Sequence, residues 1–158
     1  MGVWCVRVCD RYRVPFFPWQ CRGINDAACR LAREVAEEGD GLVAGGLSQT
    51  PTYLSGMSKA DTQKEFQKQV DVFVENKVDF LIAEYFEHVE EMEWAIETCL
   101  KSGLPVVASM CIGPEGDLHG ITVEECAVRM AKAGAHVGKS GVGFLPSVAI
   151  RRISGGGR

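Results

Sequence analysis

The sequence has no long apolar run, and its first residues lack the features of an export signal. No apolar stretch approaches the roughly 18–20 residues that a membrane-spanning helix needs, so no membrane association is predicted. The N-terminal residues have no basic start, no continuous apolar stretch and no small-residue cleavage site, which together mark a secretory signal. The predicted location is therefore cytoplasmic.

A paired cysteine motif and a clustered basic surface are also missing. The chain has seven cysteines, but none of them forms the C-x-x-C spacing typical of a structural zinc site. They are expected to be reduced thiols. The formal net charge is −4 and the only basic clusters are terminal, so nucleic-acid binding is not predicted.

What the sequence does contain is a repeat of short apolar runs. These runs cover residues 41–47, 78–83 and 105–111, and a fourth begins at 135–137. Such a run is typical of a strand that is covered on both faces in a parallel sheet. The runs start about 30 residues apart, as in right-handed strand-helix-strand units.

The segments between the runs have helical periodicity and capping residues, which predict helices. The candidate capping residues are Asn25, Ser58 and Thr122, and the first helix is predicted to place Leu31, Ala32 and Val35 on one face.

Two folds use this strand-helix repeat. A doubly wound sheet would carry the phosphate-binding pattern G-x-G-x-x-G after its first strand, but residues 45–49 lack it. The predicted fold class is therefore α/β, a partial (β/α)8 TIM barrel with about three parallel strands, their helices and a stub of a fourth strand. A complete barrel of this kind needs about 250 residues.

Several stretches of the chain resemble the betaine-homocysteine S-methyltransferases, in the same order as in that family. They are Leu42–Gly46 with Ser48–Thr50, Val78–Glu91, Met110–Gly120, and Glu125–Arg129 with Lys132–Gly134. The resemblance implies that the chain covers the third to fifth strands of the family's barrel.

The resemblance also implies an activity and a metal. In the family, zinc holds the sulfur of homocysteine as a thiolate, and betaine donates a methyl group to give methionine and dimethylglycine. The thiolate is the nucleophile, so metal binding activates the acceptor. The family's three zinc ligands are cysteines beyond its sixth and eighth strands, and no position here matches them. This chain alone is expected to be inactive and not to bind that zinc, and the complete protein is a candidate homo-oligomer.

The resemblance divides the chain into three parts: residues 1–22 form an atypical N-terminal segment, 23–138 a partial homocysteine-binding barrel domain, and 139–158 a Gly-rich unstructured tail. We hypothesise that both ends are translated intron or assembly error. Residues 14–20 can be encoded by pyrimidine-rich codons ending in CAG, like a splice acceptor, and residues 138–139 by a splice-donor sequence.

Glu84 and Tyr85 are the leading candidates for substrate binding. They follow the predicted strand 78–83, and barrel enzymes place ligand groups at the carboxyl ends of strands. By resemblance, Glu84 matches a glutamate near zinc and the homocysteine amino group, and Tyr85 matches a tyrosine of the betaine pocket. The alternative is that Glu84 pairs with a basic core partner and Tyr85 only packs.

A second group of residues forms a candidate loop on the active face. It consists of Gly45, Gly46, Glu115, Asp117 and His119. The glycines let the backbone approach a ligand, although packing alone could require them. The loop residues either close over substrate or form a Gly-Pro turn with solvated acids. The helical spacing of His88 from Glu84 and Glu91 could suggest a metal site, but a surface or packing role is favoured for His88.

Two other functions are compatible with the sequence, which leaves open whether this chain is itself an enzyme. One is a different barrel enzyme that uses magnesium bound by Glu84, Glu115 and Asp117. The other is a non-catalytic barrel fragment or mis-assembled gene product whose exposed strand edges pair with another chain.

Overall fold

The computed structural model describes residues 3–7, 18–141 and 148–151, with side chains described from residue 22 to residue 138. The strands are β1 (Val3–Arg7), β2 (Leu42–Leu47), β3 (Phe80–Phe86), β4 (Val106–Cys111), β5 (Val137–Gly141) and β6 (Val148–Arg151). The helices are α1 (Pro18–Glu37), α2 (Pro51–Leu54), α3 (Lys59–Glu75), α4 (Val89–Leu100) and α5 (Val123–Ala133).

The strands form one sheet in which the order in space follows the order in the chain, from β1 to β6. Neighbours from β1 to β5 are parallel, whereas β6 runs antiparallel to β5. A doubly wound sheet would reverse its strand order at a switch point, while a barrel wall does not. The predicted α/β barrel arrangement is therefore confirmed.

In β3 and β4 one face packs against the helices, and the other face is only half-buried. Burial alternates along β3 and β4, where Leu81, Ala83, Val106 and Ala108 are fully buried on the helix side and their neighbours are partly exposed. The prediction of strands covered on both faces is therefore wrong for β3 and β4, because the described helices and loops cover only one face of these two strands. It agrees with β2, in which five consecutive residues, 43–47, are buried.

The helix caps at Ser58 and Thr122 are confirmed, and so is a helix before β2, but the predicted start of α1 is wrong and, of its predicted inner face, only Ala32 packs against the core. Each of the two capping side chains accepts a hydrogen bond from a backbone N–H one turn into its helix. The first helix begins at Pro18, so Asn25 lies inside it and is buried. Leu31 is 63% exposed, while Cys29 is buried. The face of α1 that meets the sheet therefore carries small side chains, which permit a close approach of helix and sheet.

The terminal segments contain strands that the sequence did not predict. Residues 139–141 complete β5, and residues 148–151 pair with it as β6, although the segment from residue 139 was expected to be unstructured. The other residues of that tail, and residues 1–2 and 8–17 at the other end, lie outside the described residues. No helix in the described part of the chain is long and apolar enough to cross a membrane.

Candidate functional site

Glu84 and Tyr85 lie together at the carboxyl end of β3, where the strand is interrupted by a bulge. The pairing with β4 shifts register between Glu84 and Phe86, and Tyr85 has a positive φ of 68°. Ala83 and Phe86 are both fully buried, whereas Glu84 is half-buried and Tyr85 is 44% exposed. The bulge therefore returns Phe86 to the core and leaves the two candidate residues on the open side of the strand.

The left-handed backbone of Tyr85 is a local strain. A non-glycine residue in this conformation costs roughly 1 kcal/mol or more, and such strain persists only where the surrounding structure imposes it. Here the packing of Phe86 against Phe66, with ring centroids 5.9 Å apart, fixes the strand end. The folded chain therefore carries this conformational strain at the residue whose ring is exposed.

Glu91 and Thr50 form a buried contact between α4 and the loop after β2. The backbone N–H and the hydroxyl of Thr50 both donate to Oε1 of Glu91, at 2.6 and 2.9 Å. Oε2 of Glu91 has no hydrogen-bond partner among the described residues. Burial raises the pKa of Glu91 to about 7, although the two hydrogen bonds from Thr50 act in the opposite direction. Sequence reasoning considered Glu91 only as a neighbour of His88 and missed this contact.

His88 does not form a site with Glu84 and Glu91 but lies beside Asp117 and His119 from the loop after β4. The rings of His88 and His119 have centroids 4.4 Å apart, and one ligand atom of each of the three residues lies within 4.8 Å of the others. His88 is 7% exposed and Asp117 is 6% exposed. Of the two roles favoured for His88, the surface role is therefore wrong and the packing role agrees with the structure, in which the histidine is a buried member of a polar cluster.

Asp117 organises the loop that carries it. Its Oδ1 accepts from the backbone N–H groups of His119 and Ile121, both at 2.9 Å, and its Oδ2 accepts from that of Val89 at 3.0 Å. Burial alone would raise the pKa of Asp117, but these hydrogen bonds outweigh it and the pKa is lowered. The alternative of a turn with solvated acids fits Glu115, which is exposed, but is wrong for Asp117.

Gly45 and Gly46 lie within β2 rather than in a loop. A Cβ added at Gly45 would stand 2.6 Å from Cγ of Phe73 and 3.0 Å from Cδ2 of Leu81. Because real atoms do not approach so closely, Gly45 is required by the packing of α3 on the sheet. The assignment of Gly45 to an active-face loop is therefore corrected to a packing role.

The described cysteines do not fit the thiolate site that the resemblance implies. Cys29, Cys99 and Cys126 are buried on helices. Burial raises the pKa of Cys99 to about 12 and that of Cys126 to about 11, so both thiols stay protonated. Cys111 is half-buried at the end of β4. Among the described side chains, the potential metal-binding group is His88, Asp117 and His119, which contains no cysteine.

Polar residues at the carboxyl ends of consecutive parallel strands, with helices on one face, are typical of the β/α-barrel class. Within that class, residues 16–144 match the sequence profile of the family described as Homocysteine S-methyltransferase. The chain belongs to this family, and the resemblance found in the sequence is confirmed.

Relatives of this chain are similar to it in sequence but are longer. Betaine–homocysteine S-methyltransferase 1 of Bos taurus is 58% identical over 130 residues, which are 82% of this chain and 32% of that protein. The protein of the same name from Danio rerio is 56% identical over 131 residues, with shares of 83% and 33%. The chain therefore spans about a third of the length of these two relatives.

Solved structures support the fold. The homocysteine methyltransferase MmuM from Escherichia coli in its apo form has a TM-score of 0.63 and 18% identity, covering 82% of this chain and 52% of that chain. Its metallated form has a TM-score of 0.57, with the same identity, and covers 82% of this chain and 54% of that chain. At this level of identity the likeness shows a shared fold.

Proposed function

We propose that this chain forms the part of a homocysteine S-methyltransferase that recognises the charged nitrogen groups of the two substrates, homocysteine and betaine. The observation that carries the proposal is the bulge at the end of β3, which presents Glu84 and Tyr85 side by side on the open face of a barrel wall. The family membership and the names of the relatives support the substrate classes.

Glu84 suits the α-ammonium group of homocysteine. A carboxylate that pairs with an ammonium makes a charge-assisted hydrogen bond, which is stronger than one between neutral groups. Glu84 is half-buried and lies opposite Ser109 of β4, so a bound amino group would be partly shielded from water. Its role is to orient the amino acid so that the sulfur faces the methyl donor.

Tyr85 suits the quaternary ammonium of betaine. The face of an aromatic ring attracts such a cation by roughly 0.5–2 kcal/mol, depending on how far the site is desolvated. In the transfer, the sulfur forms a bond to one methyl carbon while the bond from that carbon to nitrogen breaks. The nitrogen keeps the electron pair of that bond and leaves as a tertiary amine.

We further propose that this chain alone does not catalyse the transfer. The metal of the family activates the homocysteine sulfur, but three of the described cysteines are buried, Cys111 is half-buried, and none belongs to the potential metal-binding group of the described side chains. The proposed contribution of this chain is therefore restricted to binding and orientation.

The test is a binding titration of the purified chain with homocysteine and with betaine, followed by a methyl-transfer assay. We expect weak binding of both ligands and no methionine formation. The substitution Glu84→Gln should selectively weaken the binding of homocysteine, and Tyr85→Ala should selectively weaken the binding of betaine. Glu124→Gln is the control, because Glu124 is exposed on α5. Equal binding by all variants would refute the assignment of the two residues, and turnover by the chain alone would refute its restriction to binding.

A further inference from the structure

His88, Asp117 and His119 form a three-residue cluster at the carboxyl ends of β3 and β4, and the proposed function leaves it unexplained. His88 occupies the N-cap position of α4 but makes no side-chain capping bond. Its ring is packed between those of Tyr53 and His119, at centroid distances of 5.2 and 4.4 Å. Capping therefore does not explain why a histidine stands at this position.

The buried histidine also has an unused polar atom. His88 is 7% exposed, and its Nδ1 has no hydrogen-bond partner among the described residues. A buried polar atom without a partner costs roughly 1–3 kcal/mol, so it marks either a strained position or the place of a missing ligand. The neighbouring imidazole and carboxylate indicate which kind of ligand would satisfy it.

Asp117 is a preorganised anionic partner in this cluster. Three backbone N–H groups hold its carboxylate in place and use three of its roughly four acceptor positions. One acceptor position on Oδ2 is left for a cation. The cluster thus combines two imidazoles with a fixed carboxylate.

We propose that His88, Asp117 and His119 bind a divalent cation of the kind that accepts imidazole nitrogen, such as Zn²⁺. Two imidazoles and one carboxylate suit zinc and its neighbours among the transition metals, whereas magnesium and calcium prefer all-oxygen sites. A tetrahedral Zn²⁺ bound at about 2.0–2.1 Å needs ligand atoms roughly 3.4 Å apart, and those of the cluster lie within 4.8 Å.

A movement of His119 can bring the ligand atoms from their present separation to the one that zinc needs. This residue is exposed, so its side chain can turn inward by roughly an ångström without disturbing the core. Water would occupy the other coordination positions on the exposed side. The bound cation would join the loop after β4 to the start of α4, next to the edge that carries Glu84 and Tyr85. The site does not depend on the proposed methyl transfer, because its ligands exclude both of those residues.

The experiment is a titration of the reduced, purified chain with Zn²⁺ alone, followed by the NMR signals of the histidine side chains. The chain has three histidines, so the third, His136, is an internal control. Its Nδ1 already accepts a hydrogen bond from the backbone N–H of Val106 at 3.1 Å. Zinc bound by cysteines elsewhere would leave all three signals unchanged.

We expect the first equivalent of Zn²⁺ to shift the signals of His88 and His119 and to leave those of His136 in place. The melting temperature should rise with zinc concentration, because the cation binds only the folded chain. His119→Gln should abolish the response of His88. It should also weaken zinc binding by at least ~10–100-fold, which is the loss when a group that supports a metal ligand is removed. His136→Gln should bind as the parent chain does.

Several results would overturn the proposal. They are unchanged signals of His88 and His119, an equal response of all three histidines, and undiminished affinity in His119→Gln. The substitution at His119 is exposed and should not prevent folding, so loss of binding there is not a folding defect. A chain without a cooperative melting transition would not form the cluster and would also contradict the proposal.

Discussion

Thr50 donates two hydrogen bonds to a single oxygen of Glu91, one from its backbone N–H and one from its hydroxyl. The two residues are 41 positions apart and both are fully buried. This contact fixes the loop after β2 against the first turn of α4, at the same edge of the sheet as Glu84. A carboxyl group buried in this way makes the stability of the chain depend on pH.

Glu91 is expected to make the folded chain less stable as the pH rises. Its pKa increases from the usual 4.5 to about 7 on folding, so the folded state holds the proton more tightly than the unfolded state. The free energy of unfolding should therefore fall between pH 4.5 and about 7, by an amount on the order of 3 kcal/mol, and level off above that range.

The measurement is urea unfolding of the parent chain and of Glu91→Gln across this pH range. The glutamine variant cannot ionise, so its stability should vary much less with pH and should exceed that of the parent above pH 7. Glu124→Gln, a change at an exposed glutamate, serves as the control and should keep the slope of the parent chain. The same slope in Glu91→Gln would show that another group causes the pH dependence.

Gly45→Ala is expected to destabilise the chain by about 1–3 kcal/mol. The added Cβ would lie 2.6 and 2.8 Å from two atoms of the Phe73 ring, so helix α3 must move away from the sheet. The free energy of unfolding should be compared with that of Gly39→Ala, because a Cβ at Gly39 meets nothing within 4 Å. The double variant with Phe73→Leu should recover part of the loss, and a neutral Gly45→Ala would contradict the packing role.

Tyr85→Gly is expected to relieve the backbone strain and to weaken betaine binding. Glycine adopts a positive φ without strain, so the free energy of unfolding of Tyr85→Gly should exceed that of Tyr85→Ala, which lacks the same ring, by up to about 1 kcal/mol. The aromatic face is lost in both variants. Tyr85→Phe keeps the ring and should retain the ligand affinity.

Lys77→Gly is a matched control for the effects of Tyr85→Gly on stability and betaine binding, since Lys77 also has a positive φ, of 55°. It should be stabilising without any effect on betaine binding, which a ligand titration can measure. If Tyr85→Gly were no more stable than Tyr85→Ala, the backbone at Tyr85 would not be strained in the way that its φ indicates.

The ion pair between Arg129 and Glu93 should contribute more than the exposed pairs on the surface. Arg129 bonds both carboxylate oxygens, with Nε 2.9 Å from Oε1, and joins α5 to α4. Its side chain is 27% exposed and that of Glu93 is 24% exposed. A double-mutant cycle with Arg129→Met and Glu93→Gln should give a coupling energy of about 1 kcal/mol.

The control cycle uses Lys68 and Glu65, which form an i, i+3 pair on α3 with the lysine 63% exposed. There the coupling should be at most about 0.5 kcal/mol, because solvent screens the charges. Equal coupling in the two cycles would show that the bidentate geometry adds nothing to the Arg129 pair.

The sequence by itself determined the strand-helix repeat, the caps at Ser58 and Thr122, and the family. Each of these depends on residues that are close in the chain: a capping side chain bonds a backbone N–H three residues on, and a strand is marked by its own apolar run. The strand spacing also predicted the sequential sheet. The placement of Glu84 and Tyr85 at a strand end follows from the same local pattern, while their roles remain predictions.

Only the tertiary structure decided which face of α1 is buried, why β2 contains Gly45, and what surrounds His88. Leu31 is more apolar than Cys29, yet Leu31 is 63% exposed and Cys29 is buried. Likewise, the Phe73 ring leaves no room for a Cβ at Gly45. His88 lies beside Asp117 and His119, which come from a different loop. These contacts join residues about 30 positions apart, so their partners depend on how whole helices and strands pack.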